Sequence, residues 1–344
     1  MTMEVTASTV YSLPSARGEL SSAVVDLLRG EAASTRRTVG EAVWIADAAQ
    51  PYGEDLQLAL HICYELHYQG FESVDPEWEW DRELLHLRAN LEHRFLSALQ
   101  RDVAGGSDLE DELARLLVEP AQGTGIGSYL AKKGEWWQLR EYFVHRSIYH
   151  HKEADSHVWL IPRLRGQAKA SLVAIEFDEF GGGRGERMRS QLFAELLTGA
   201  ELAPGYLRYL DVVPAPMLAL VNMMSLFGMH RVWRGALVGQ LTAAEITSVS
   251  TARRMTAALR RLAADPACLR FYAEHVQADA VHEQFMRHSV IGYLLAREPE
   301  QIASVVFGIQ ATNWLEQRFT EHLLDRSWGA GRSSLLNPPD GKSR

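Results

Sequence analysis

The residues best suited to chemistry lie in the stretch 271–285, FYAEHVQADAVHEQF, which sets His275, Asp279 and His282 at i, i+4 and i+7. On an α-helix, at about 100° per residue, three such positions fall within about 60° of arc on one face. Two imidazoles and a carboxylate on one face form a ligand set for iron, manganese or zinc, and the carboxylate favours the harder metals. The same spacing also describes a solvated polar face that happens to carry histidines. Acidic residues upstream weigh toward the metal, because a metal site inside a helical bundle draws its ligands from several facing helices. Glu153 in HHKEADSH, and Glu176 and Glu179 in AIEFDEFGGG, supply the candidates. Glu179 ends an otherwise apolar helical stretch just before Gly181, Gly182 and Gly183. An acid there opposes the negative C-terminal end of the helix dipole, so a metal or an arginine should compensate it.

Helices must position these residues, and the apolar spacing supplies them. Three- and four-residue periodicity marks segments 21–30, 54–70 and 81–102, with an aromatic turn, DPEWEW, whose Trp78 and Trp80 read as anchors of a helix corner. Residues 105–127 are acidic and punctuated by Gly and Pro, with one short helical pattern, LEDELARLL, and form the best domain connection. Beyond it come a helix over 136–152, a break at 155–162, a helix over 164–180 stopped by the glycines, and shorter helices over 187–197, 203–210 and 216–228. A long pair, 233–264 and 266–296, brackets the opening motif, and 301–324 closes the fold. Alternating β pattern is sparse, so the spacing predicts an all-α protein of bundle type. The expected organisation is a disordered leader (1–20), an N-terminal helical segment (21–125), a metal-binding helical domain (126–328) and a tail (329–344).

Composition narrows the function. The chain has 344 residues, 47% of them hydrophobic, enough for a large core. A formal net charge of −9 argues against a general nucleic-acid binder, and Arg253, Arg254, Arg260 and Arg261 read as the wet face of a helix. Cys63 and Cys268 are the only cysteines, too few for a disulfide scaffold or a four-thiolate zinc site. No apolar run reaches the roughly 20 residues of a membrane span. The expectation is a reduced, soluble, cytoplasmic protein that meets neither nucleic acid nor membrane. The apolar surface of 56–71 exceeds what a flanking hairpin readily buries, which suggests a homodimer through the helices before Gly105.

The order and spacing of the acids and histidines, with the text EADSHVWLIPRLRGQAKASLVAIEFDEFGGG and EHVQADAVHEQ, resemble the haem-oxygenase-like diiron oxidases and oxygenases, the iron-containing redox enzyme family. The pattern is most similar to N-oxygenase-type domains. The resemblance covers roughly residues 128–325, and the helices before it match the extra dimer-forming segment of some members. It implies a haem-oxygenase-like bundle with one or two iron ions held by Glu153, Glu179, His275, Asp279 and His282. It also implies O2-dependent chemistry on a small organic substrate, such as N-oxygenation of an amine or amino-acid derivative, or cleavage or desaturation of a carbon chain.

One position departs from the family. Ten residues after Glu179, where the family has a histidine, this chain has Arg189. Arginine stays protonated and offers no lone pair to a metal. Three outcomes are open: a single iron held mainly by Glu153, His275 and Asp279, a labile two-iron site, or an Arg189–Glu179 ion pair in place of the second metal. The last would suit a lapsed bundle that binds a metal, a metabolite or a protein. Glu176, Glu186 or His157 could replace the missing ligand. Glu176 and Glu245 could stand behind the ligands or face substrate, and Glu245 reads slightly better as a capping or surface acid. His145, His150, His151 and His157 share no single face and read as a mixture of core and surface residues. GGGRG at 181–185 follows a helix, not a strand, and so lacks the context of a phosphate loop.

Overall fold

The computed structural model describes residues 11–30, 39–118 and 125–337, with only the backbone described at 39–43 and 277–280. Its helices are α1 (Glu19–Leu28), α2 (Val39–Ala48), α3 (Glu54–Glu65), α4 (Arg82–Asp102), α5 (Leu109–Leu117), α6 (Ile126–Lys133), α7 (Trp136–His150) and α8 (Glu153–Val158). They continue as α9 (Gly166–Glu179), α10 (Arg189–Gly199), α11 (Ala215–Met229), α12 (Arg234–Arg261), α13 (Pro266–Gln284), α14 (Gly292–Arg297) and α15 (Ile302–Glu321). No strand occurs among the described residues, and no helix there is long and apolar enough to cross a membrane.

Several helices start where the chain offers an acceptor for the free amides of a first turn. Asp81 accepts from Leu84 N, Asp108 from Asp111 N, and Asp265 from Ala267 N with Pro266 at the first helical position. α11 is buried nearly all round and forms the middle of the core. α12 lies against α13 and α15. Two glycines let its backbone meet that of α15: a Cβ on Gly239 would lie 2.0 Å from the Val305 carbonyl oxygen, and one on Gly308 would lie 1.9 Å from that of Ala236. This fixes the depth of α12, and hence of Glu245.

The N-terminal helices belong to the same core. Asn222 on α11 donates to the Gln57 backbone and side-chain oxygens on α3 (both 2.8 Å) and lies 3.1 Å from His61 Nδ1. Lys152 and Glu65 form a fully buried ion pair of 2.6 Å, and Tyr206 donates to Glu65 at 2.5 Å. The apolar surface of 56–71 that suggested a second copy is therefore covered by α11 and α1 within one chain.

Five expectations need correction. Of the expected loose leader, residues 1–10 lie outside the described residues, but 11–18 are anchored: Ser15 N donates to Asp211 at 2.7 Å and Arg17 pairs with Glu54 at 2.6 Å. Of the tail, 338–344 lie outside the described residues, whereas Ser334 is buried against His145 and Glu141. The segment 203–210 is a run of turns, not a helix, because Pro204-Gly205 and the left-handed backbone at Leu207 (φ 55°) break it. The helix expected over 266–296 widens into a π-helical segment at Phe285–Ile291, directly after His282. At the aromatic turn, Trp78 packs on the core, but Trp80 is largely exposed and only edges His67.

Two core histidines make stability pH-dependent. Burial holds His61 and His145 well below the usual histidine range, helped by the charge of Lys152 at the first and of His322 and Arg146 at the second. Both stay neutral in the fold but ionise in the unfolded chain, so their contribution is complete above pH 6.5 and is lost as the pH falls toward their folded values. Between that pH and one unit lower, each should remove about 1 kcal/mol. Urea midpoints should therefore fall over that unit and fall less in His145→Asn, and identical midpoints for the native chain at both pH values would refute the assignment.

Candidate metal centre

The turn after α9 builds the first part of the site. Gly181, Gly182 and Gly183 all have positive φ, and a Cβ on Gly181 would lie 2.4 Å from the Arg184 carbonyl oxygen, so only glycine fits there. This reversal starts α10 at Arg189, whose Nε donates to Glu179 Oε1 at 3.2 Å. The acid at the helix end thus has an arginine as its compensating cation.

Glu179 from α9, Glu245 from α12 and His282 from α13 converge, with one donor atom of each within 4.8 Å of the other two. His282 Nδ1 lies 3.4 Å from Glu245 Oε2 and 3.8 Å from Glu179 Oε1, and neither Nδ1 nor that Glu245 oxygen is hydrogen bonded. The other ring nitrogen, Nε2, is 3.3 Å from Asp178 Oδ2. Burial alone would lower His282. The Glu245 carboxylate beside the ring, with Glu179 and Asp178, outweighs it and raises the imidazole to about 9. Without a metal, a proton on His282 stands between the carboxylates. Glu245 itself is raised by burial against the lowering pull of His282. Its place in this group corrects the capping or surface reading.

A second group faces the same cavity. Glu153, first residue of α8, lies 3.0 Å from His150 Nδ1 because the chain stops being helical at His151 and turns back. Burial would raise the Glu153 carboxyl, but His150, with His157 and His275, holds it at about 2. His275 donates from Nδ1 to the Phe271 carbonyl oxygen (2.7 Å), which leaves Nε2 as the lone-pair nitrogen. Burial and then the charges of Arg189 and His150 keep His275 neutral. His150 is the residue that spacing missed. His157 is bonded to Gln240 (2.7 Å), and Glu186 lies in an exposed turn, so neither takes the place of the missing histidine. Glu176 is buried with neither oxygen hydrogen bonded, and burial with the charges of Glu179 and Glu245 pushes it well above the carboxylate range. The Asp279 side chain lies outside the described residues.

Between the two groups opens a cavity of about 290 Å³. Its wall also carries Arg146, bonded through both terminal nitrogens to Glu316 (2.9 and 2.7 Å) and lying over the rings of Tyr142, Tyr149 and Phe319.

Residues 140–317, more than half of the chain, match the model of the iron-containing redox enzymes, a haem-oxygenase-like family. The chain belongs to this family. No curated protein matches it. An iron-containing redox enzyme of this all-α type carries its metal between helices, and the residues here fit one. Two carboxylates and an imidazole are the mixed oxygen and nitrogen donors that iron accepts. The orphaned Glu245 oxygen and His282 nitrogen lack only a cation to share. Asp178 behind His282 and the Phe271 carbonyl behind His275 are hydrogen-bond partners of the kind that would orient an imidazole toward a metal.

Proposed function

We propose that this iron-containing redox enzyme oxidises a small organic substrate with O2 at a centre held by Glu179, Glu245 and His282. Glu153 and His275 stand on the other side of the cavity, and Asp279 is a further candidate from the sequence alone. The observation that carries this reading is the convergence of donors from three helices, Glu245 and His282 buried and Glu179 partly so, with the two glutamates on the wall of a cavity that a small molecule can enter. When bound, iron would supply the electrons and the open coordination positions that activate dioxygen.

The chain's own residues supply the rest. Leu220, Met223, Met224 and Phe271 line the cavity and exclude water from the reacting group. Tyr272 faces the cavity with a buried hydroxyl that has no partner, and burial keeps that phenol protonated, so it can donate to a substrate oxygen. The Arg146–Glu316 pair presents both signs of charge on the cavity wall, which suits a substrate with a polar or zwitterionic head, such as an amine or amino-acid derivative. N-oxygenation is the reaction class we assign to such a substrate. Arg189 favours a second reading: its ion pair with Glu179 would suit a bundle that binds metal without oxygen chemistry.

Absorption after anaerobic Fe(II) loading followed by O2 separates the readings. A transient absorbance change on mixing is expected, and its absence in fully loaded protein would favour the inactive bundle. A haem-like band on adding haem instead would move the assignment to haem chemistry.

A further inference from the structure

A second cavity, of about 340 Å³, opens where the turn before α9 meets the starts of α12 and of the segment after α14, and it is lined by Arg163, Arg165, Arg231, Arg234 and Arg297 with Glu298 and Glu300. Five guanidinium groups against two carboxylates leave a local charge of +3 in a chain whose formal charge is −9. Glu298 is committed to Arg234. Arg163 spends its terminal nitrogens on the Gly228 and Met229 carbonyl oxygens, the latter at 2.9 Å, and this pins it to the cavity wall. Among the described residues, Arg163, Arg165, Arg231 and Arg297 have no carboxylate partner. Burial, and then the charge of Arg231, lower Arg163, so two like charges lie close together on this wall.

Like charges gathered in a concave site cost energy unless an anion joins them, and planar guanidinium groups match phosphate oxygens two at a time. The first turns of α9 and α12, which end at this cavity without a side-chain cap, add partial positive charge of the same sign. Along α12, Arg234 is eleven residues from Glu245, about 16 Å of helix axis. The cavity is therefore separate from the metal centre, and it shares no lining residue with the substrate cavity.

We infer that this arginine cavity binds a small molecule carrying a diphosphate or two phosphate groups. Its concave shape favours a small ligand over a flat acidic protein surface. Calorimetric titration of the full-length, iron-containing protein at near-physiological salt tests it, with ADP and fructose 1,6-bisphosphate as probes and adenosine as the uncharged control. One-to-one saturation by both phosphate probes and none by adenosine is expected. Arg165→Ser with Arg231→Ser changes two exposed side chains and should weaken binding about tenfold or more, the loss expected from a charge-assisted hydrogen bond. Iron content and melting temperature of that variant should match the native chain. No saturation at millimolar probe, equal affinity in the double variant, or binding of adenosine as tight as that of ADP would each overturn the inference. Saturation by polyglutamate alone would also overturn it, by making the patch a protein-docking surface.

Discussion

Replacing Glu245 and His282 together by glutamine should strip the protein of nearly all its iron, lowering affinity by about 100-fold or more, since loss of even an outer hydrogen-bond partner costs 10- to 100-fold. Glutamine keeps the volume and hydrogen-bonding capacity of both sites, so helical content should stay native. His275→Gln, on the other side of the cavity, should cost much less iron, because among the described residues the donors that converge in one place are Glu179, Glu245 and His282. The proton that His282 holds without metal, up to about pH 9, must leave for iron to bind through Nδ1. Iron affinity should therefore rise with pH up to that value. Iron per chain measured on the dialysed proteins checks the prediction, and unchanged stoichiometry in the double variant would remove these residues from the centre.

Local patterns carried much of the fold. LEDELARLL reads as a helix and is α5, Leu109–Leu117, because one strongly apolar face and an aspartate cap agree. The segment 203–210 has similar apolar spacing, yet it turns, since a helix so short cannot nucleate beside Pro204-Gly205 and Tyr209 instead takes the Ala203 amide on its hydroxyl. The site was legible only in part, and for a physical reason. His275 and His282 share a helix, so their spacing is visible in the chain. The structure then sends one toward His150 and Phe271 and the other toward Glu245. Glu245 becomes meaningful only through the close approach of α12 to α15 at Gly239 and Gly308, a tertiary fact that no local pattern encodes. His150 enters through the helix stop at His151, where the chain was expected to run on to 152. Arg189 was visible by its position alone. The dipole argument at Glu179 required a cation, and the arginine is there.

Arg189→Ala should destabilise the metal-free protein markedly. The arginine and Glu179 side chains are 9% and 13% exposed, and breaking a buried pair from one side leaves a charge without its partner, at a cost of about 3 to 5 kcal/mol. The loss should be smaller with Fe(II) present, because a cation shared with Glu245 and His282 neutralises Glu179 in the arginine's place. Arg189→His acts differently. It puts a neutral imidazole where the family resemblance places a ligand, near both Glu179 and His275, and removes the fixed charge beside them. Iron content should then rise from about one toward two per chain, and added Fe(II) should recover stability by binding linkage, about 2.7 kcal/mol at a hundredfold excess over the dissociation constant. Iron per chain and melting temperature for the native, alanine and histidine forms, with and without Fe(II), decide the matter. Two firmly bound irons in the native protein would show that the guanidinium lies beside a second metal instead of standing in its place. Shifts within about 0.5 kcal/mol for both variants would mean that the Arg189–Glu179 contact contributes no more than an ordinary surface pair.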